Sequence, residues 1–561
     1  MNATARIWAI GAAGLVWAFG PNPSGDWARI FAPWNSPTSP GCAIGVQQGS
    51  QTTFAAFGSA DLEHHVPNSP ATIFEAGSVS KQFTSAAILL LAQDGKLGLD
   101  DDIRRYLPEM PDYGAKITIN HLLSHTSGLR DWGVLAAIEG WPRTTRAMNQ
   151  ADVLALVARQ TKLNYLPGDE YSYTNTGYNL LAIIVERVSG QSFPDFTRDR
   201  LFQPLGMAST SWRDDFRKVV ENRSIAYVKR GAVYQTEMPF ENAIGNGGLL
   251  TTVKDLLIWN DALNKNRLGS FVVQNMERQA ILNSGRQIKY ARGLRGTNRN
   301  GFAEISHDGA TAGYRTWLAR FPSQGLSIAI LCNAGDVGRS AAVLGYKVAD
   351  PLLPQIASPP PGTEAHMPAR AGLFVSERTG WPLVLVSDHG VLRKETGVAL
   401  QVEGPDLAKA DDGLLRFDGN DKFVLEDNDG NVEPFHRTTP ATGAPAALSA
   451  YAGAYGSGEI DTIYAVEEQA GRLTMQNRRR PSVTMPLYPA YRDAFLFDTD
   501  SGPRTGLARF RRDAGGLVTA LDIGVTRRVR ALRFTLLSSG AHTKAGREPE
   551  STRAPDVDDG N

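Results

Sequence analysis

The sequence predicts an α+β domain followed by two small antiparallel β-barrel domains, and three observations lead there. Within residues 26–350, short apolar runs that read as strands stand near both ends, with helical runs between them. A sheet must therefore be assembled from distant parts of the chain and covered by helices. A proline-rich break follows at residues 351–369, where Ser358-Pro359-Pro360-Pro361-Gly362 can join neither a helix nor a ladder. Beyond it helices almost vanish, and alternating apolar strands separated by Asp/Gly turns take over.

In chain order, Arg6 precedes an apolar run over residues 7–20, with small residues Ala18 and Gly20 before Pro21. Residues 1–25 therefore read as a secretory signal, too short to span a bilayer, and the expected location is periplasmic or secreted. The alternative is an apolar helix packed on a protein that stays in the cytoplasm. Residues 42–46 and 326–332 read as central strands, and residues 315–321 alternate apolar with polar. Residues 80–91 form an almost wholly apolar helix ended by Gly95, and residues 179–188 form a second, stopped by Gly190. A Thr/Pro/Ala/Gly stretch at residues 438–445 then separates barrel-like units at 370–440 and 446–538. Gly390-Val391-Leu392, Leu414-Leu415-Arg416-Phe417 and Asp429-Gly430-Asn431-Val432 in the first are echoed by Gly471-Arg472-Leu473, Phe495-Leu496-Phe497 and Gly515-Gly516-Leu517-Val518 in the second. That echo suggests a duplicated unit. Residues 539–561 are polar and read as a disordered tail.

Composition narrows the function. The 561 residues carry 58 Lys+Arg against 58 Asp+Glu, without the basic excess that a nucleic-acid binder needs. Two cysteines, Cys42 and Cys332, exclude a disulfide framework and a Cys-rich zinc site. They read as buried thiols or, since both lie in strand-like runs, as one disulfide between neighbouring strands. Beyond the N-terminus no segment has the apolar length of a membrane span, so stable membrane insertion is not expected. There is no Gly-x-Ser-x-Gly elbow and no His-Glu-x-x-His zinc helix, and Glu63-His64-His65 reads as a charged turn. No metal or other cofactor is expected.

Ser78-Val79-Ser80-Lys81 opens the first helix. Residues three apart share a helical face, so the Lys81 amine can reach the Ser78 hydroxyl. A serine needs a neighbour to take its proton, and a lysine in a dry pocket can be that base. About one Ser-x-x-Lys arises by chance in a chain of this length, so the motif alone is weak. Tyr173-Thr174-Asn175 lies on a loop entering the second helix; a phenol beside an ammonium is biased toward phenolate and can relay a proton. His307-Asp308-Gly309 leads into strand-like sequence, where a donor followed by a glycine suits an edge strand against which substrate lies.

Together with Phe74-Glu75-Ala76-Gly77, His121-Leu122-Leu123-Ser124-His125-Thr126-Ser127-Gly128-Leu129, Pro204-Leu205-Gly206-Met207 and Gly247-Gly248-Leu249, these motifs occur in an order that resembles the serine β-lactamase and penicillin-recognising superfamily, its class C and D-aminopeptidase-like branch above all. The resemblance covers roughly residues 35–350. It implies a central antiparallel sheet flanked by helices, a helical subdomain, and a site in the cleft between them. It also implies that Ser78 is the nucleophile, Lys81 its base and Tyr173 the second general acid/base. Asn175 would hold the substrate amide or orient Lys81, His307 and Gly309 would serve the substrate, and the N–H groups of Ser78 and Ala310 would form the oxyanion hole. His125 would be structural.

Where this superfamily often has Lys-Thr-Gly, the chain has His307-Asp308-Gly309. A titratable imidazole then replaces a permanent cation, which weakens the expectation of a dedicated β-lactamase. The trailing barrels resemble the accessory domains that flank the catalytic cleft in D-aminopeptidase-like members, which leaves two readings: a loop from one of them narrows the site, or they are passive modules; Arg478-Arg479-Arg480 is either an anion contact on such a loop or a solvated turn. The expected function is hydrolysis of peptides containing D-residues, of which linearised microcystin, cleaved after a D-Ala, is one. An esterase or weak β-lactamase, and a penicillin-binding sensor that acylates without turnover, are the other readings. The expected partner is a small-molecule or peptide substrate, and the oligomeric state is left open.

Overall fold

A computed structural model describes residues 24–143, 145–354, 362–441 and 448–539. The signal-like segment lies almost wholly outside these residues, as do the middle of the proline-rich linker and the tail after Ser539. Among the described residues no helix is long and apolar enough to cross a membrane.

The central sheet has six antiparallel strands: β1 (Cys42–Gln48), β2 (Gln51–Phe57), β3 (Arg295–Arg299), β4 (Phe302–Thr311), β5 (Tyr314–Phe321) and β6 (Leu326–Cys332), in the order β3-β4-β5-β6-β1-β2. As the apolar runs predict, β1 and β6 lie side by side in the middle, buried almost throughout. Their register sets Cys42 opposite Cys332, and the two form a disulfide. The reading as buried thiols is thus replaced by the bonded one, because pairing of the strands brings the two Cβ atoms within bonding reach. The bond closes a loop of 290 residues. Cys42→Ala with Cys332→Ala is expected to cost about 2–4 kcal/mol of stability, read as a lower denaturation midpoint than wild type under non-reducing conditions and an equal one after reduction.

Helix α1 (Lys81–Gln93) is buried from Lys81 to Leu91, on all sides, as its unbroken apolar sequence requires. Ser78 stands one step earlier than the sequence reading places it, in a 3-10 turn, Gly77–Ser80, that leads into α1. Helix α2 (Asn175–Ser189) packs on α1 and ends at Gly190, whose φ of 73° suits a left-handed cap.

The two C-terminal sheets repeat one plan. The first has eight antiparallel strands and the second nine; in both, the first strand pairs with the last, and the ends of the order are the third and fourth strands in the first sheet and the fourth and fifth in the second. The sequence echoes fall on equivalent places: third strands (Val391–Lys394, Arg472–Asn477), sixth strands (Gly413–Asp418, Ala494–Thr499), and the turn between the seventh and eighth strands. In the second sheet the end strands Thr484–Pro486 and Tyr488–Tyr491 are joined through Leu487 alone, which almost closes a barrel. Its core runs on continuously into that of the helical region, whereas the first barrel keeps a core of its own. Buried ion pairs pin the second barrel down: Arg130 to Glu459 at 2.9 Å and Arg530 to Glu170 at 2.9 Å. Of the arginine run at residues 478–480, Arg479 pairs with Asp461 and lies over Trp141, and Arg480 pairs with Asp500, so the run serves docking and surface rather than the cavity described next.

Candidate active site

The sheet, the two helices and both barrels meet around a cavity of about 700 Å³. Ser78, Tyr173, Asn175, His307 and Ala310 all line it. Lys81 lies beneath, fully buried.

The Lys81 Nζ is 3.1 Å from Ser78 Oγ, 3.0 Å from Asn175 Oδ1 and 2.6 Å from the Asn246 carbonyl. Burial, reinforced by the Arg528 guanidinium, pushes its pKa well below the ordinary lysine range. A neutral amine has two N–H donors and one lone pair. The two carbonyl oxygens take the donors, and the lone pair is left facing the serine hydroxyl. The Asn246 carbonyl is held there by a loop stitched to α1: Thr84 donates to the Gly245 carbonyl at 2.8 Å and the Leu249 N–H donates to Ser80 Oγ at 3.1 Å. This is the Gly247-Gly248-Leu249 motif of the sequence, and its site-bearing atom belongs to the residue before it. Asn175 is fixed through its own N–H, which donates to Asp131 at 2.7 Å, a carboxylate at the N-terminus of α2.

Tyr173 has the Lys81 Nζ over its ring, 4.8 Å from the centroid, and its buried hydroxyl makes no hydrogen bond of ordinary geometry. Burial pushes its pKa up, and the neighbouring Ser78 hydroxyl opposes this only in part. The expected bias toward phenolate is therefore corrected: Tyr173 is a neutral phenol, because the amine faces its ring, is itself depressed, and the phenol stands among His125, Tyr290 and His307 rather than in water. His125 packs 4.2 Å from the Tyr173 ring and accepts from the Thr174 N–H at 3.3 Å; burial pushes its pKa well below the ordinary histidine range and keeps its imidazole neutral.

His307 lies on β4. Strand β3 pairs with β4 only as far as Ser306, so residues 307–311 form a free edge on that side, as the edge-strand expectation requires, although β4 is not an edge strand over its whole length. His307 Nε2 is 3.1 Å from the Tyr290 hydroxyl, and its pKa is pushed down to about 4 by burial. The expected titratable cation is thus a neutral imidazole at pH 7.

Gly309 is required by crowding. A Cβ there would stand 2.2 Å from the Ala76 carbonyl and 2.2 Å from Thr316 Oγ1. Across from it Gly77, at φ 52°, has no room for a Cβ, which would lie 2.8 Å from the Ala310 nitrogen. The backbones carrying the Ser78 and Ala310 N–H groups therefore face each other at touching distance, an arrangement that can hold an oxyanion. Gly309→Ala is expected to lower kcat about 100-fold or more by displacing one of these donors, with the loss measured against the yield of Ser78 labelling to separate chemistry from misfolding.

Two turns from the barrels complete the wall: residues 427–431 of the first and 526–528 of the second. Asn431 Oδ1 accepts from the Tyr171 N–H at 2.8 Å, and Arg295 pairs with Asp429. Of the two readings of the barrels, narrowing loop or passive module, these turns favour the first, but with residues 427–431 and 526–528 in place of Arg478-Arg479-Arg480; the arginine run at 527–530 is the signal the sequence offers.

The family profile described as Beta-lactamase matches residues 29–352. The chain belongs to that family. It is a serine hydrolase with a β-lactamase-like fold and C-terminal antiparallel barrels. Penicillin-binding protein 4* of Bacillus subtilis is 30% identical over 317 residues, 52% of this chain and 68% of the relative. The D-aminopeptidase of Brucella canis is 26% identical over 507 residues, 86% of this chain and 93% of the relative, so that likeness spans the barrels as well as the β-lactamase region. Among solved structures, the crystal structure of SurE matches 91% of this chain and 98% of its own, at a TM-score of 0.52 and 20% identity, which concerns the fold alone.

Proposed function

We propose that the protein hydrolyses amide bonds in peptides containing D-residues through an acyl-enzyme on Ser78. The observation that carries this reading is the fully buried Lys81 amine 3.1 Å from the Ser78 hydroxyl, in surroundings that push its pKa well below the ordinary lysine range. Lys81 takes the hydroxyl proton as Ser78 attacks the amide carbonyl. The N–H groups of Ser78 and Ala310 receive the developing oxyanion. Tyr173, a phenol carrying its proton, gives it to the departing amine and regains one from Lys81. Water then reverses these roles to release the acid. Asn175 and the neutral His307 position the substrate, and Gly309, expected from the sequence to serve the substrate, instead lets β4 itself approach the turn that carries Ser78.

The D-residue assignment draws on the D-aminopeptidase likeness, which extends over 86% of the chain. The test is a cleavage screen by mass spectrometry over matched D- and L-residue peptides, with linearised microcystin included. Exclusive cleavage of L-peptides would overturn the assignment. Fast ester or β-lactam turnover without peptide cleavage would favour the esterase or β-lactamase reading. A stable adduct on Ser78 without turnover would favour a sensor, a reading to which the penicillin-binding relative lends weight. The Cys42–Cys332 bond supports export to an oxidising compartment, which cell fractionation checks.

A further inference from the structure

Residues 527–530, at the last turn of the second barrel and the start of the strand after it, carry three arginines, and two of them are committed. Arg527 pairs with Asp427 and, at 2.8 Å, with Glu433. Arg530 pairs with Glu170 at 2.9 Å. Arg528 differs. Among the described residues its guanidinium has neither a carboxylate partner nor a hydrogen-bond acceptor, and it stands over the Tyr173 ring, 5.2 Å from the centroid, at the cavity wall.

This position is built. The Arg528 carbonyl accepts from the Asp131 N–H at 3.1 Å and from Asn164 Nδ2 at 2.9 Å, and its N–H donates to Thr526 Oγ1 at 3.2 Å. Ser172, next to Tyr173, donates to the Arg527 carbonyl at 3.1 Å. The backbone of the turn is thus clamped to the very loop that carries Tyr173, which places the Arg528 guanidinium over that ring.

Charge on the cavity wall agrees. Arg143 is paired with Glu241, Arg295 with Asp429 and Arg527 with Asp427. Arg339 and Asp308, both exposed, are opposite in sign and cancel in the count. What remains is the positive charge of Arg528. A guanidinium is planar, permanently charged and matched to a carboxylate in a two-pronged contact. Half-buried and unpaired, it is a site that an anion would complete.

We propose that Arg528 selects substrates with a carboxylate on the leaving-group side of the scissile amide. The proposal rests on the roles given above: Tyr173 serves the departing nitrogen, so whatever that nitrogen carries comes to lie beside Tyr173 and therefore beside Arg528. Two sources offer the same chemistry. One is the α-carboxylate of a leaving residue that ends the peptide, and the other is an acidic side chain on that residue.

The test uses the full chain and three substrates: D-Ala-Gly, its carboxamide D-Ala-Gly-NH2, and D-Ala-Asp-NH2. Wild type is expected to favour one carboxylate-bearing substrate over the carboxamide by roughly 10- to 100-fold in kcat/KM, and which of the two it favours identifies the source. The ratio should fall to near one in Arg528→Gln and be partly restored in Arg528→Lys. Calorimetric affinities for the same three peptides on Ser78→Ala repeat the comparison without turnover, and labelling of wild-type Ser78 by a fluorophosphonate reports separately on the site reading. Absence of labelling defeats that reading alone. Equal affinities for all three peptides, or an equal loss on all three in Arg528→Gln, would overturn the role of Arg528 and leave it as packing on Tyr173.

Discussion

Ser78→Ala is expected to lower kcat by about four to six orders of magnitude while leaving the fold intact. The hydroxyl supplies the bond-forming atom, and the remaining rate comes only from the oxyanion donors and from binding. Stability should change little, because Ser78 is half-buried and its partner Lys81 keeps both other acceptors, Asn175 Oδ1 and the Asn246 carbonyl. Turnover of a D-Ala peptide, the mass of the protein after fluorophosphonate and the thermal midpoint are the three measurements. Turnover within tenfold of wild type would show that another group performs the attack.

Lys81→Met should be the next most damaging change, costing roughly three to four orders of magnitude in kcat. Methionine keeps the volume of the side chain but has no amine to accept a proton. Two carbonyl oxygens lose a donor, which costs about 1–3 kcal/mol apiece, and the cost of burying a lysine disappears in return, so folding should survive. The wild-type pH profile checks the same group. As the proposed base Lys81 works only when neutral, and its pKa lies well below 10.5, so kcat/KM should rise with pH through that depressed value and level off below the ordinary lysine range. A rise centred at the ordinary lysine value would contradict the buried-amine account. Linkage runs in the same direction: the folded chain binds fewer protons at Lys81 than the unfolded chain, so this group favours folding more as pH climbs toward 10.5.

The parts of this site written in local spacing were legible in the sequence. Ser78 and Lys81 are three residues apart, and helical geometry alone puts them together. Tyr173 and Asn175 needed the resemblance as well, since a loop triplet carries no spacing signal of its own. What stayed hidden depends on long-range docking or on backbone atoms. The Asn246 carbonyl that accepts a hydrogen bond from Lys81 has no side-chain signature, and Tyr290, which holds His307, sits in a stretch without a recognisable motif. Two arginine-rich runs look equally charged on paper; only packing shows that residues 478–480 serve docking and surface, whereas Arg527 and Arg528 reach the cavity. The protonation expectations failed for a physical reason too. Reasoning from charge neighbours predicted a phenolate and a switchable histidine, whereas burial, which sequence does not display, governs both.

The hydrogen bond from Asn164 to the Arg528 carbonyl joins residues 364 apart. A ribosome therefore delivers the reactive serine and lysine early and the roof over them last. Until the final hairpin has emerged and settled, the nascent enzyme has its chemical tools in an open trench, and only the finished polypeptide has a chamber that can choose what enters it.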